Sequence, residues 1–159
     1  MIEERLFGIA LVLRLDLIEL TIQSARLADS TGTVRLLNVV NSLQRPVCQR
    51  VTRRWEEHCA GLPADVCLYT VSMDPPLAQA RWQADAGILH QLLSADRSEQ
   101  FGWDYGVLLK EWHLLQRATF VIDRHDHLVY AEYIADQMGE PDYIAAIEAA
   151  RQRSLLDGA

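Results

Sequence analysis

Cysteine is sparse in this sequence, a close cysteine pair is missing, and there is neither a basic excess nor a long apolar run. Three cysteines, Cys48, Cys59 and Cys67, in 159 residues form no disulfide framework. No CxxC occurs, which excludes ordinary dithiol oxidoreductase chemistry. Neither a glycine-rich phosphate loop nor a nucleophilic serine signature is present. The net charge of −7 argues against nucleic acid as a main partner, because phosphate recognition needs a basic face. Arg45, Arg50, Arg53 and Arg54 make the one local basic cluster, which reads as a solvated helix face rather than a phosphate patch. The apolar run Phe7 to Leu13 is too short to cross a membrane and is cut by Arg14 and Asp16. The opening Met1-Ile2-Glu3-Glu4-Arg5 is acidic where a secretory signal is basic. The expectation is a protein of the reducing cytoplasm, without a membrane partner, in which a free thiol stays reactive.

The composition is 50% hydrophobic and 23% charged, that of an ordinary globular chain. Its length fits one domain, residues 1–159, with a sizeable core. Residues 7–25 read as an N-terminal strand or pair of strands, with Leu13, Leu15 and Leu17 alternating with polar neighbours until the pattern slips near Ile18. Apolar runs at 34–40 and 66–71 predict buried strands. A helix is expected from Pro46 to Gly61, with Val47, Val51 and Trp55 on one stripe. A second is expected from Pro75 or Pro76 to Ala86, and a short one over 97–104. Strands at 118–123 and 128–133 flank the polar turn Arg124-His125-Asp126-His127. Pro141 opens a last helix with Tyr143, Ile144, Ile147 and Ala150 as its apolar face. A crossover-connected half followed by a hairpin half predicts an α/β, thioredoxin-like fold, a central mixed sheet flanked by helices.

Cys48 is the residue singled out for chemistry. It follows a buried strand and a short loop and falls in the first turn of a helix, where unpaired N–H groups and the helix dipole favour a thiolate. Arg45 and Arg50 add positive charge nearby. An inert, buried cysteine fits the same position equally well. Cys59 lies on the same helix 11 residues later, about 16 Å along the axis, too far for a disulfide without unwinding. Cys67 reads as packing within a buried strand. His125 and His127 in one turn are a weak metal signal without further ligands, and His58, His90 and His113 read as scattered polar residues.

Residues 31 to 150 resemble the bacterial thiol peroxidase branch of the peroxiredoxins. The likeness is carried by Val34-Arg35-Leu36-Leu37-Asn38-Val39-Val40-Asn41-Ser42 leading to Pro46-Val47-Cys48, and by Phe101, Tyr105, Gly106 and Val107. It continues in Arg117-Ala118-Thr119-Phe120-Val121-Ile122-Asp123 and in Glu140-Pro141-Asp142-Tyr143. The resemblance implies that Cys48 is the peroxidatic nucleophile and that Arg117 holds its thiolate and the peroxide oxygens. It implies a homodimer, with Trp82, Trp103 and Trp112 near the contact, no cofactor, and thioredoxin or a small thiol as reductant. This chain departs from the family at three places: Asn41 stands where the family has proline, Arg45 where it has threonine or serine, and Gln83 where it has the resolving cysteine. The segment before residue 30 is also divergent. Two readings follow: a peroxidase using one cysteine, or a degenerate relative kept as a binding or redox-sensing module.

Overall fold

The computed structural model describes residues 30–157. The expected strands within 7–25 lie outside that range. At its centre is β1 (Val34–Val39), whose six residues are all buried. α1 (Pro46–Cys59) follows after a short loop, with proline in its first turn and Val47, Cys48, Val51, Thr52 and Trp55 on its buried side. β2 (Val66–Ser72) lies beside β1, and α2 (Pro76–Ala86) ends at Gly87, whose left-handed φ of 68° suits a residue without a side chain. β3 (Gln91–Ser94), α3 (Gln100–Asp104) and a small ribbon of β4 (Leu108–Leu109) and β5 (Leu114–Leu115) come next. β6 (Ala118–Ile122), β7 (Leu128–Tyr133) and α4 (Tyr143–Asp157) close the order. None of the described helices is long and apolar enough to cross a membrane.

The sheet runs β3-β2-β1-β6-β7. Its first three strands are parallel, and β6 and β7 are antiparallel to their neighbours, so the sheet is mixed as expected. Alternation along β1 divides the core. Val34 and Leu36 pack with Val51 and Trp55 of α1 and with Ala146 and Ala150 of α4. Leu37 and Val39 pack with Phe101, Tyr105, Leu115 and Phe120 on the other face. A third cluster holds Cys48 among Val40, Leu43, Val47, Ile88 and Leu92, with Trp82 and Ala86 of α2 against it.

The structure differs from the expectation at several places. β3 was not foreseen, because Gln91-Leu92-Leu93-Ser94 offers only two apolar residues and its identity as a strand comes from pairing with β2. The last helix begins at Tyr143 rather than Pro141, because Asp142 acts as its N-cap, its carboxylate accepting the Ala145 N–H at 3.0 Å. Ile144 is 72% exposed and does not belong to the buried face. That face centres on Ala146 and Ala150, and Ala146 lies almost opposite Ile144 around the helix.

The turn between β6 and β7 depends on Asp123. Its carboxylate accepts the backbone N–H groups of His125 and His127, each at 2.9 Å. Burial pushes this carboxyl upward, but those N–H groups and the His127 imidazole outweigh it and hold the carboxyl below its ordinary value of 3.8. A carboxyl depressed on folding stabilises the fold above its ordinary value, and that contribution is lost as pH falls through the folded value. Urea denaturation of Asp123→Asn should show a loss of about 1.5 kcal/mol at neutral pH. Below pH 4, by the same logic, the variant and the parent should converge.

Candidate active site

The route from sequence to site begins where β1 ends. After Val40 the chain turns through Asn41–Arg45 and enters α1, which puts Cys48 in the third helical position. Arg45 occupies the N-cap position but makes no side-chain capping bond, so the first-turn N–H groups receive no acceptor from it. The loop is held from below by Asp74, whose carboxylate accepts the Ser42 hydroxyl at 2.6 Å and the Leu43 N–H at 2.8 Å. Gln49 donates its amide to Leu43 O at 2.8 Å from the helix side. Asp74 was not foreseen as part of the site. Its only trace in the sequence is an acidic residue at the end of a buried strand, a common thing.

Arg117 arrives from the neighbouring strand. The pairing of β1 with β6 sets Val39 opposite Ala118, so Arg117, one residue earlier, stands across from the start of the loop that carries Cys48. Its side chain is buried. Nη1 donates to Asp136 O and Gln137 O, both at 3.2 Å, and Nη2 to Gly139 O. Nε has no hydrogen-bond partner among the described residues. Arg117, Asn41 and Arg45 line one cavity of about 100 Å³, with Leu109, Trp112 and Ile134. Asn41 donates to Leu115 O, and Arg45 reaches to Gln137 Oε1 at 3.4 Å. Cys48 is not in that lining: it is fully buried in the apolar cluster beside it. The structure thus unites three of the four expected pocket residues along one cavity and puts the thiol in the apolar cluster instead.

These elements have counterparts in known proteins. A family model described as the AhpC/TSA family matches residues 12–131. The chain belongs to the AhpC/TSA family. A thiol peroxidase of Halalkalibacterium halodurans is 46% identical over 126 residues, 79% of this chain and 75% of that protein. One from Bacillus subtilis is 42% identical over 132 residues, 82% of this chain and 78% of that protein. Among solved structures, a peroxiredoxin-like protein from Aquifex aeolicus superposes with a TM-score of 0.74 at 27% identity, over 82% of this chain and 78% of that one. The chain is a peroxiredoxin with the thioredoxin-like fold.

The remaining cysteines of this AhpC/TSA protein stand apart from Cys48. α1 is one uninterrupted helix from Pro46 to Cys59, so the two thiols at its ends keep the separation of about 16 Å. Burial and the adjacent Glu56 carboxylate push the Cys59 thiol up to about 11. Cys67 on β2 is half-buried and takes a contact from the Thr33 hydroxyl at 3.6 Å. Gln83, which the resemblance sets at the position of the family's resolving cysteine, donates to His90 O at 2.9 Å. The arginine cluster is a solvated, paired helix face: Arg50 and Arg54 meet Glu140, and Arg53 lies over Trp82. His125 and His127 form no metal-ligand group; among the described residues the one such group is Glu56, Cys59 and His90. That His90 belongs to it was not legible, because its partners come from a helix more than thirty residues away.

Arg117 also organises the 136–139 loop through three carbonyls. Arg117→Ala should therefore cost about 1.5–3 kcal/mol, the range for hydrogen bonds to a charged group. Hydrogen exchange should localise the change, with the Gly139 amide, now bonded to Asp136 O at 3.0 Å, losing protection first.

Proposed function

We propose that this chain is a thiol-dependent peroxidase that reduces hydrogen peroxide or organic hydroperoxides through Cys48 alone. The observation that carries the reading is the β1–β6 register, which brings the buried Arg117 guanidinium to the end of the strand whose loop presents Cys48 in a helical first turn. A helix N-terminus and a fixed cation both favour the thiolate and the charge that moves onto oxygen. The Cys48 thiolate attacks the peroxide oxygen; the S–O bond forms as the O–O bond breaks. The leaving hydroxide or alkoxide takes a proton and departs as water or alcohol. Cys48 is left as a sulfenic acid. Two equivalents of an external thiol, thioredoxin or a small thiol, then return it to the thiol, releasing water and a disulfide. An external reductant is required because Gln83 fills the resolving position and Cys59 is distant and held protonated. Such a reductant places the enzyme in a reducing compartment, the cytoplasm. The burial of Cys48 means that a peroxide enters by the Arg117 cavity and meets the thiol when the first turn of α1 opens locally.

Hydroperoxide consumption tests this directly. Cys48→Ser should abolish it, and Cys59→Ser and Cys67→Ser should leave it largely intact. Arg117→Ala should slow it at least tenfold, since one charged donor at a developing charge is worth about 2–4 kcal/mol. Arg45→Thr combined with Asn41→Pro should raise the rate. A second reading, a binding or redox-sensing module without turnover, is favoured by the commitment of both Arg117 Nη atoms to carbonyl groups and by the full burial of Cys48. A Cys48 that reacts no faster than a free thiol would decide for that module.

The same reading includes a homodimer. Trp103 and Trp112, the second of which lines the Arg117 cavity, are 59% and 66% exposed, large apolar surfaces suited to a second copy. Light scattering at micromolar concentration should give twice the 18.1 kDa of one chain; a particle of single-chain mass argues against it.

A further inference from the structure

At the far end of α1 from Cys48 lies a second concentration of reactive side chains that peroxide chemistry does not use. Glu56 and Cys59, three residues apart, share one face of the helix, and His90 approaches from the loop before β3. One donor atom from each lies within 4.8 Å of the other two. The arrangement is fixed from outside. Glu56 Oε1 accepts the Leu89 N–H at 3.0 Å, and Oε2 accepts the His90 N–H at 3.1 Å. His90 Nε2 meets the Thr70 hydroxyl at 2.8 Å, and Asn38 donates to the same hydroxyl at 3.0 Å. His90 is buried, so its ring orientation is set by these contacts. Its remaining nitrogen, Nδ1, points at Glu56 Oε2, 2.5 Å away.

We propose that Glu56, Cys59 and His90 form a site for a divalent cation of the zinc class, bound through one carboxylate oxygen, Sγ and Nδ1. A mixed set of sulfur, nitrogen and oxygen donors suits Zn²⁺ and not Mg²⁺ or Ca²⁺, which take oxygen. Tetrahedral zinc holds its nitrogen and oxygen donors about 3.3 Å apart. Binding the cation exchanges the 2.5 Å contact between Nδ1 and Glu56 Oε2 for that spacing, so Glu56 turns away from Nδ1 and gives up part of its hold on the Leu89 and His90 N–H groups. The outer shell is already the one a metal-bound imidazole needs. With the cation on Nδ1, the His90 proton moves to Nε2 and is donated to Thr70 Oγ1. That hydroxyl has two lone pairs and accepts from Nε2 and Asn38 together. Cys59 gives up its proton to solvent on binding. The cation lies at the C-terminal end of α1, where the helix dipole favours positive charge. Three protein ligands leave a fourth position. A cavity of about 390 Å³, lined by Cys59, His90, Cys67 and Gln91, reaches two of the ligands and gives water or a small anionic ligand access to it.

The site is tested by titrating the whole, reduced chain with Co²⁺, whose thiolate-to-metal charge-transfer band reports a Co–S bond, followed by displacement with Zn²⁺. The expected result is one ion per chain, with the band present in the parent and in Cys48→Ser combined with Cys67→Ser. Cys59→Ser should abolish the band and weaken binding beyond the roughly 10–100-fold that loss of an outer-shell partner causes. Glu56→Gln, which keeps an oxygen but removes the charge, should weaken binding at least tenfold and retain the band. This second variant decides the matter if Cys59→Ser fails to fold. Absence of the band in the parent, its persistence in Cys59→Ser, its loss in the Cys48/Cys67 variant, or unchanged affinity in Glu56→Gln would each overturn the site. None of these readouts depends on peroxide turnover.

Discussion

Strand β1 is paired along both edges and covered on both faces, so its polar side chains depend on partners inside the protein. That requirement is severe for its two polar residues. Arg35 answers it by an ion pair with Asp126 and a bond to Asp123 O at 3.0 Å, which ties the strand to the β6–β7 turn. Asn38 answers it by donating to Thr52 on α1 and Thr70 on β2. An unpaired polar group in such a place costs about 1–3 kcal/mol, so these bonds fix where the helix and the second strand stand relative to β1. The Asn38 bond to Thr70 extends further, through His90 to Glu56, and so reaches the end of α1 from the middle of the sheet.

Both ends of α1 acquire their surroundings from this constraint. The N-terminal end inherits the exit point of β1, and β6 brings Arg117 to the same place because its register with β1 admits no slip without exposing the core. The C-terminal end inherits the polar chain that starts at Asn38. The two ends differ in electrostatic sense. At the first, unpaired N–H groups favour an anion; at the second, carbonyl groups and Glu56 favour a cation. The thiols at the two ends therefore meet opposite surroundings although they share one helix.

The cavity wall of the AhpC/TSA protein shows how substitution redistributes contacts. Arg45 reaches Gln137, in the loop that Arg117 holds. Asn41 spends its amide on Leu115 O, tying the β1 exit to the β4–β5 ribbon.

The strands over 34–39, 66–72, 118–122 and 128–133 were legible because each is a near-continuous apolar run, and α1 because proline opens it and Val47, Val51 and Trp55 repeat at helical spacing. Cys48 at a helix N-terminus was legible for the same local reason. β3 and the β4–β5 ribbon were not, since two apolar residues become a strand only when a neighbour supplies the hydrogen bonds. A buried Cys48 was one of two readings the sequence left open; the grip of Asp74 on the loop and the meeting of Glu56, Cys59 and His90 were out of reach. Periodicity and composition act over a few residues and determined the elements and their order. Which side chains converge depends on sheet register and helix packing, long-range choices made by burying all of β1 at once, and only the tertiary structure decided them.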